Sequence, residues 1–407
     1  MTSRSSPSAI LFVEGSYSGA AKKPDDGPHP GDLVDLGLTL RDECEDVVIL
    51  RGMHRRDDGK HISDEVERKK YCEEADEFVR VCRRMADCEW TRQEHAWLSQ
   101  RNKSVLMSTE EGRKEYDALK DGILLMDGQK RNAEGKDGAQ QLNARELRVL
   151  AQKRKVPIAS WSALHTGYEK KSDPSLIGDD EFGGLQSRVE LCQGARVLLT
   201  SNLWVEAGLV NGAMGTVRGF VWPEGGRPGA KETEKSMPLC VVVEFDEVKL
   251  RSADGEERSF FPGEPDKKNW VPIFRQEATS TFQEGLVRWQ FPLVLAWAIT
   301  HWKAQGMTLP KARVRLSERT AGQHGVGFVA CTRVRHPRHM VFEEDLPDWE
   351  AFQRVRETAT FHRRRRFELR LQARASKTIR KYGFYGTDRW TAEDARRAES
   401  MLKKLVG

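Results

Sequence analysis

The chain has 407 residues, 38% hydrophobic and 32% charged, which is enough for two or three domains and a substantial core. No run approaches eighteen apolar residues, which excludes a helical membrane span. The net charge of +5 is uneven: residues 350–407 hold 16 Lys and Arg against 7 Asp and Glu, so the basic excess lies in the tail.

The first 40 residues are rich in Ser, Gly and Pro and read as a disordered leader. They lack the apolar core of a secretory signal and carry few basic residues for organelle targeting. The seven cysteines, Cys44, Cys72, Cys82, Cys88, Cys192, Cys240 and Cys331, contain no C-x-x-C pair. Neither a disulfide framework nor a zinc site is indicated, and a reducing, intracellular setting fits. Of the eukaryotic compartments, the nucleus is favoured over the mitochondrion.

Val47-Val48-Ile49-Leu50 reads as a short buried strand running into Arg55 and Arg56. Arginines just past a strand suit a phosphate or simply a solvated loop. Residues 63–100 carry the spacing of one or two amphipathic helices. Residues 101–140 are highly charged and read as a surface excursion, followed by a helix over 143–151 and a strand from Val156 to Trp161. Ala195-Arg196-Val197-Leu198-Leu199-Thr200 is a further strand.

Beyond it, the Asn211-Gly212 step is a strong turn signal. Short strands are predicted at 219–222, 239–245, 258–261, 271–274 and 287–291, together suggesting a small inserted β-barrel. From Leu295 to Thr300 one buried strand is predicted, breaking into the polar turn of Thr300, Trp302, Lys303, Gln305 and Gly306. That is how α/β folds present chemistry at a strand's carboxyl end. Arg313-Val314-Arg315-Leu316 and His339-Met340-Val341-Phe342 are the last predicted strands, with a buried segment over 327–335 between them. The tail from 348 is helical in composition. Its Arg363-Arg364-Arg365-Arg366 run suits a solvated helix face, a DNA contact or a nuclear-import signal.

Taken in order, several of these segments resemble the Pif/RecD-like DNA helicases of superfamily 1B. They are Gly194-Ala195-Arg196-Val197-Leu198-Leu199-Thr200, Asn202-Leu203-Trp204, and Gly208-Leu209-Val210-Asn211-Gly212-Ala213-Met214-Gly215-Thr216-Val217. They continue with Gln290-Phe291-Pro292-Leu293, Ala296-Trp297-Ala298-Ile299-Thr300, Lys303, Gln305-Gly306 and Val329-Ala330-Cys331-Thr332-Arg333-Val334. The resemblance covers 156–343 and extends back to 47.

The resemblance implies an α/β fold. A second RecA-like motor domain, mostly parallel sheet with flanking helices, would occupy 41–203 and 287–347. An SH3-like β-barrel would be inserted at 204–286, and a basic, mainly helical tail would follow at 348–407. It further implies ATP and Mg2+ as cofactors and single-stranded DNA as the track, unwound 5′ to 3′ in repair, recombination or telomere maintenance. Arg333 matches the arginine finger and Arg55 a second phosphate sensor. Gln305 and Gly306 match nucleotide-side positions, and Thr300, Lys303 and Asn211 DNA-side positions.

Two positions depart from the pattern: Trp302 stands where the family usually has His, and Ala304 where it has Ser. Trp302 is either a base-stacking residue or a drifted one; stacking on a base is worth roughly 1–3 kcal/mol.

No G-x-x-x-x-G-K-[ST] occurs: Gly59-Lys60 is followed by His61, and Gly135-Lys136 by Asp137. The first motor domain is therefore expected to be absent, and the chain alone is not expected to be ATPase-competent. Two readings follow. One is the C-terminal half of a Pif-like helicase, cut short and completed by a first motor domain. The other is a non-catalytic single-stranded nucleic-acid-binding module derived from one.

Overall fold

Asp64 opens the first helix: its carboxylate accepts the Glu67 N–H at 2.7 Å, satisfying a donor that the first turn leaves unpaired. The computed structural model describes residues 46–47, 56–130, 137–167, 173–226, 237–251, 257–281 and 283–382. The predicted leader, the strand expected at 47–50 beyond Val47, and Arg55 lie outside the described residues.

In chain order the main elements begin with helices α1 (Glu65–Ala86), α2 (Arg92–Ser99) and α3 (Glu110–Leu119), then strand β1 (Ile123–Met126) and helix α4 (Ala139–Arg154). Strands β2 (Ala159–Ser162), β3 (Leu164–Thr166), β4 (Arg188–Leu191), β5 (Arg196–Leu199), β6 (Met214–Val221) and β7 (Cys240–Phe245) follow. Next come β8 (Trp270–Phe274), β9 (Gln276–Thr279), β10 (Val287–Gln290), β11 (Leu293–Leu295), β12 (Ala298–Thr300) and β13 (Ala312–Val314). Helix α5 (Val326–Cys331), strand β14 (Met340–Phe342) and helix α6 (Ala359–Tyr382) complete the set.

The chain forms two compact units. The first takes residues 1–106, 316–339 and 345–407, and the described helices within it are α1, α2, α5 and α6, with shorter helices besides. Tyr71, Ala75, Phe78, Cys82 and Met85 recur on one face of α1 at three- and four-residue spacing and are buried. Thr91 and Glu94 form a reciprocal capping box at the start of α2.

The second unit takes 107–315 and 340–344 and is mixed α/β. Its parallel sheet has the order β12-β1-β13-β14. Its antiparallel sheet has the order β11-β5-β6-β7-β8, and β3-β10-β9 and β2-β4 make smaller sheets. The main core of this unit gathers Leu147, Trp161, Leu199, Phe245 and Phe291.

The parallel sheet of the sequence reading is present, with three corrections. Residues 101–140 are more than a surface excursion: Ile123–Met126 is wholly buried and pairs with both β12 and β13. The apolar run from Leu295 is two strands rather than one. β11 pairs antiparallel with β5, β12 pairs parallel with β1, and the chain changes sheet at Ala296-Trp297.

No strand forms at 258–261. There the Ser259 hydroxyl accepts the Phe261 N–H at 3.0 Å and the Phe261 carbonyl accepts from Glu264 N–H at 3.2 Å. Such local bonds compete with a ladder. The antiparallel sheet joins β6, β7 and β8, from within 204–286, to β5 and β11 outside it. The segment 327–335 begins as helix α5, and the described part of the tail contains the 24-residue helix α6.

Candidate nucleic-acid interface

The carboxyl ends of parallel strands carry the polar groups of α/β sites, and β12 ends at Thr300. The chain then turns tightly. The Thr300 hydroxyl accepts the Lys303 N–H at 3.2 Å and the Thr300 carbonyl the Ala304 N–H at 3.2 Å. Gln305 N–H donates to the Trp302 carbonyl, and Met307 N–H to that of Ala304, both at 3.1 Å. Gly306 sits at φ +88°, which favours glycine.

This turn sorts its residues by exposure. His301 and Ala304 are buried, whereas Trp302, Lys303, Gln305 and Gly306 face solvent. Ala304 is fully buried, so a serine hydroxyl there would need its own partner; the methyl needs none. Trp302 keeps 37% of its surface exposed. Surrounding protein pushes the Lys303 ammonium below its ordinary pKa, while Asp180 and Asp179 oppose that shift.

The Asn211-Gly212 turn adjoins the same loop. The Asn211 N–H is held by the Asn202 side-chain oxygen at 2.8 Å. Gly212 lies at φ +100°, and a Cβ on it would come within 3.2 Å of Met307 Cγ. Thr300, Trp302, Lys303, Gln305, Gly306 and Asn211 thus belong to one unit.

Arg333 belongs to the other unit. It is 5% exposed and folds back on its own helix: Nε donates to the Val329 carbonyl at 2.7 Å and Nη2 to the Thr332 hydroxyl at 2.9 Å. A finger for a γ-phosphate would have to leave these acceptors. Arg55 lies outside the described residues, but Asp57, two positions on, donates its N–H to the carbonyl of Arg335 at 3.2 Å. Among the described residues, no three His, Cys, Asp or Glu side chains gather to hold a metal.

Sequence reasoning left several contributors unassigned. His301, Asp127, and the Asp179-Asp180 pair beside Lys303 acquire their places only through pairings over more than a hundred residues. The glycine-bracketed run Gly122-Ile123-Leu124-Leu125-Met126-Asp127-Gly128 was the available signal for the strand end carrying Asp127.

The described architecture is that of a mixed α/β protein with a parallel sheet and a polar loop at its carboxyl edge. No family model matches the chain. ATP-dependent DNA helicase PIF1 of Danio rerio is 33% identical over 168 residues, 40% of this chain and 21% of that protein. The Xenopus laevis protein of the same name is 32% identical over 222 residues, 53% of this chain and 27% of that protein. Among solved structures, the Pif1 helicase of Candida albicans superposes with a TM-score of 0.46 at 19% identity, covering 70% of this chain and 57% of that one. Over the shared portion, the chain is homologous to the Pif1 helicases. It spans about a fifth to a quarter of the length of these curated relatives.

Proposed function

We propose that the chain is the second-motor-domain portion of a Pif1-like ATP-dependent DNA helicase, holding single-stranded DNA on the loop after β12. The observation that carries this reading is the loop itself. It follows a parallel strand, turns Trp302, Lys303 and Gln305 outward, and buries its remaining side chains at 301 and 304. Homology to proteins named as ATP-dependent DNA helicases gives that geometry its substrate.

On this reading Lys303 and Thr300 meet backbone phosphates, and Trp302 stacks on a base, a contact that tolerates any sequence. Asn211 borders the same track, and Gln305-Gly306 lie on the nucleotide side. Arg333 and Arg55 are the phosphate-reading arginines of the other unit; a planar, permanently charged fork suits the oxygens of a transferring phosphoryl group. Residues 204–286 act as the SH3-like module, the basic tail adds charge, and the work is DNA unwinding in the nucleus. The sequence holds no phosphate-binding loop, so this polypeptide by itself binds single strands without hydrolysing ATP at a helicase rate.

The test uses the full purified chain, a fluorescent oligo-dT and an ATPase assay. The reading predicts binding that weakens steeply with salt, is indifferent to ATP, and brings no DNA-stimulated turnover. Steady DNA-stimulated hydrolysis would contradict the division of labour. Absence of binding at low salt would contradict the whole reading.

A further inference from the structure

We infer that His301 is the positioning residue of this loop, fastening it across the carboxyl ends of three neighbouring strands; the inference rests on the single-strand-binding reading above. The chain leaves β12 on one side of β1 and must reach β13 on the other. At that crossing the His301 ring is 1% exposed. Its Nε2 lies 3.2 Å from Asp127 Oδ1 and 3.0 Å from the Arg315 carbonyl oxygen.

Both partners are acceptors, so Nε2 carries the proton and shares it between them. Asp127 directly follows β1, and Arg315 directly follows β13. The backbone repeats the tie, with His301 N–H on the Met126 carbonyl at 3.1 Å and Arg315 N–H on that of Leu125 at 2.8 Å.

The neighbouring residue in sequence, Trp302, is solvent-facing, so burying residue 301 sets which way residue 302 points. The bonds from Lys303 and Ala304 to Thr300, from Gln305 to Trp302 and from Met307 to Ala304 run within the loop. They fix its shape, whereas His301 fixes its attachment to the sheet. Nδ1 of the ring is buried without a hydrogen-bond partner, so the ring's hydrogen bonding runs through its Nε2 edge.

The experiment measures oligo-dT affinity and thermal midpoint for the full chain carrying H301L, H301Q, D127A, W302A, H301L/W302A and D127A/W302A. Glutamine keeps an N–H donor near the Nε2 position, and D127A removes one acceptor while leaving the ring's packing intact. We expect H301L to weaken binding about tenfold, as W302A does, given the size of a stacking contact. H301Q should recover most of that loss, D127A should fall between, and H301L/W302A should bind no worse than W302A alone.

Normal binding by H301L alongside weak binding by W302A overturns the inference and leaves the DNA reading standing. Losses that multiply in the double variant also overturn it, because the ring would then act independently of Trp302. If W302A itself binds normally, the inference falls, while the single-strand-binding reading still stands or falls on Lys303. Should H301L fail to fold, D127A against D127A/W302A gives the same comparison: equal affinity for D127A/W302A and W302A supports the inference, and multiplied losses overturn it.

Discussion

The side-chain amide of Asn143 grips the backbone of Ala298 twice, donating to its carbonyl at 2.8 Å and accepting its N–H at 2.8 Å. The same amide donates to the Leu295 carbonyl at 3.1 Å. These three bonds span the place where the chain leaves one sheet for the other, supplying partners that neither ladder provides there. Asn143→Leu keeps the volume and leaves the Ala298 N–H and two carbonyls without their side-chain partner. Each buried group orphaned in this way costs about 1–3 kcal/mol. Chemical denaturation of the variant should show a loss of roughly 2–4 kcal/mol. A loss under about 0.5 kcal/mol, the range of an ordinary surface change, would contradict this role.

Arg288 does comparable work for the segment that carries Asp179 and Asp180. Its fully buried guanidinium donates to Asp179 Oδ1 at 2.9 Å, the Leu185 carbonyl at 2.8 Å and the carbonyls of Pro174 and Ile177 at 3.1 Å, and it lies 3.9 Å over the Phe182 ring. Arg288→Met should cost roughly 3 kcal/mol, because breaking such a network strands its acceptors. Lysine should rescue little, since one ammonium cannot reproduce a planar fork. Thermal unfolding of both variants is the check, and a near-normal midpoint for Arg288→Lys would contradict the argument.

Acid stability should depend on His336. Its ring is buried and stacks on Tyr71 with centroids 3.6 Å apart. Nε2 donates to the Tyr71 carbonyl and Nδ1 accepts the Arg338 N–H, both at 3.1 Å, so the native ring is neutral. Burial is the main cause that pushes its pKa from 6.5 down to about 4. The unfolded chain therefore binds the extra proton first. This contribution to stability is fully present above pH 6.5 and is lost as the pH falls through that window toward 4. His336→Phe keeps the stack and removes the proton site. The variant should be less stable than wild type at neutral pH, yet lose less on acidification. Parallel pH profiles would contradict the assignment.

What the sequence disclosed and what it hid divide along physical lines. Strands with a one-sided or continuous apolar signature, such as Val197-Leu198-Leu199 and Met340-Val341-Phe342, fall where the pattern puts them. β1 escaped because four apolar residues sit among charged helical turns, and any window wide enough to judge the region averages them away. The split between β11 and β12 escaped because both halves are apolar. What separates them is Asn143, over 150 residues away. The loop's exposed residues were legible from local sequence. Its fastening through His301 and Asp127 was not, because strand neighbourhood is a property of the sheet order.

The most direct measurement is the salt dependence of oligo-dT binding by the full chain and its Lys303→Ala and Trp302→Ala variants. The account predicts that Lys303→Ala weakens binding evenly across sequences and reduces the slope of log affinity against log salt by about 1. Trp302→Ala should weaken binding about tenfold with the slope unchanged. Wild-type affinity and slope in both variants would contradict the claim that the loop after β12 holds the strand.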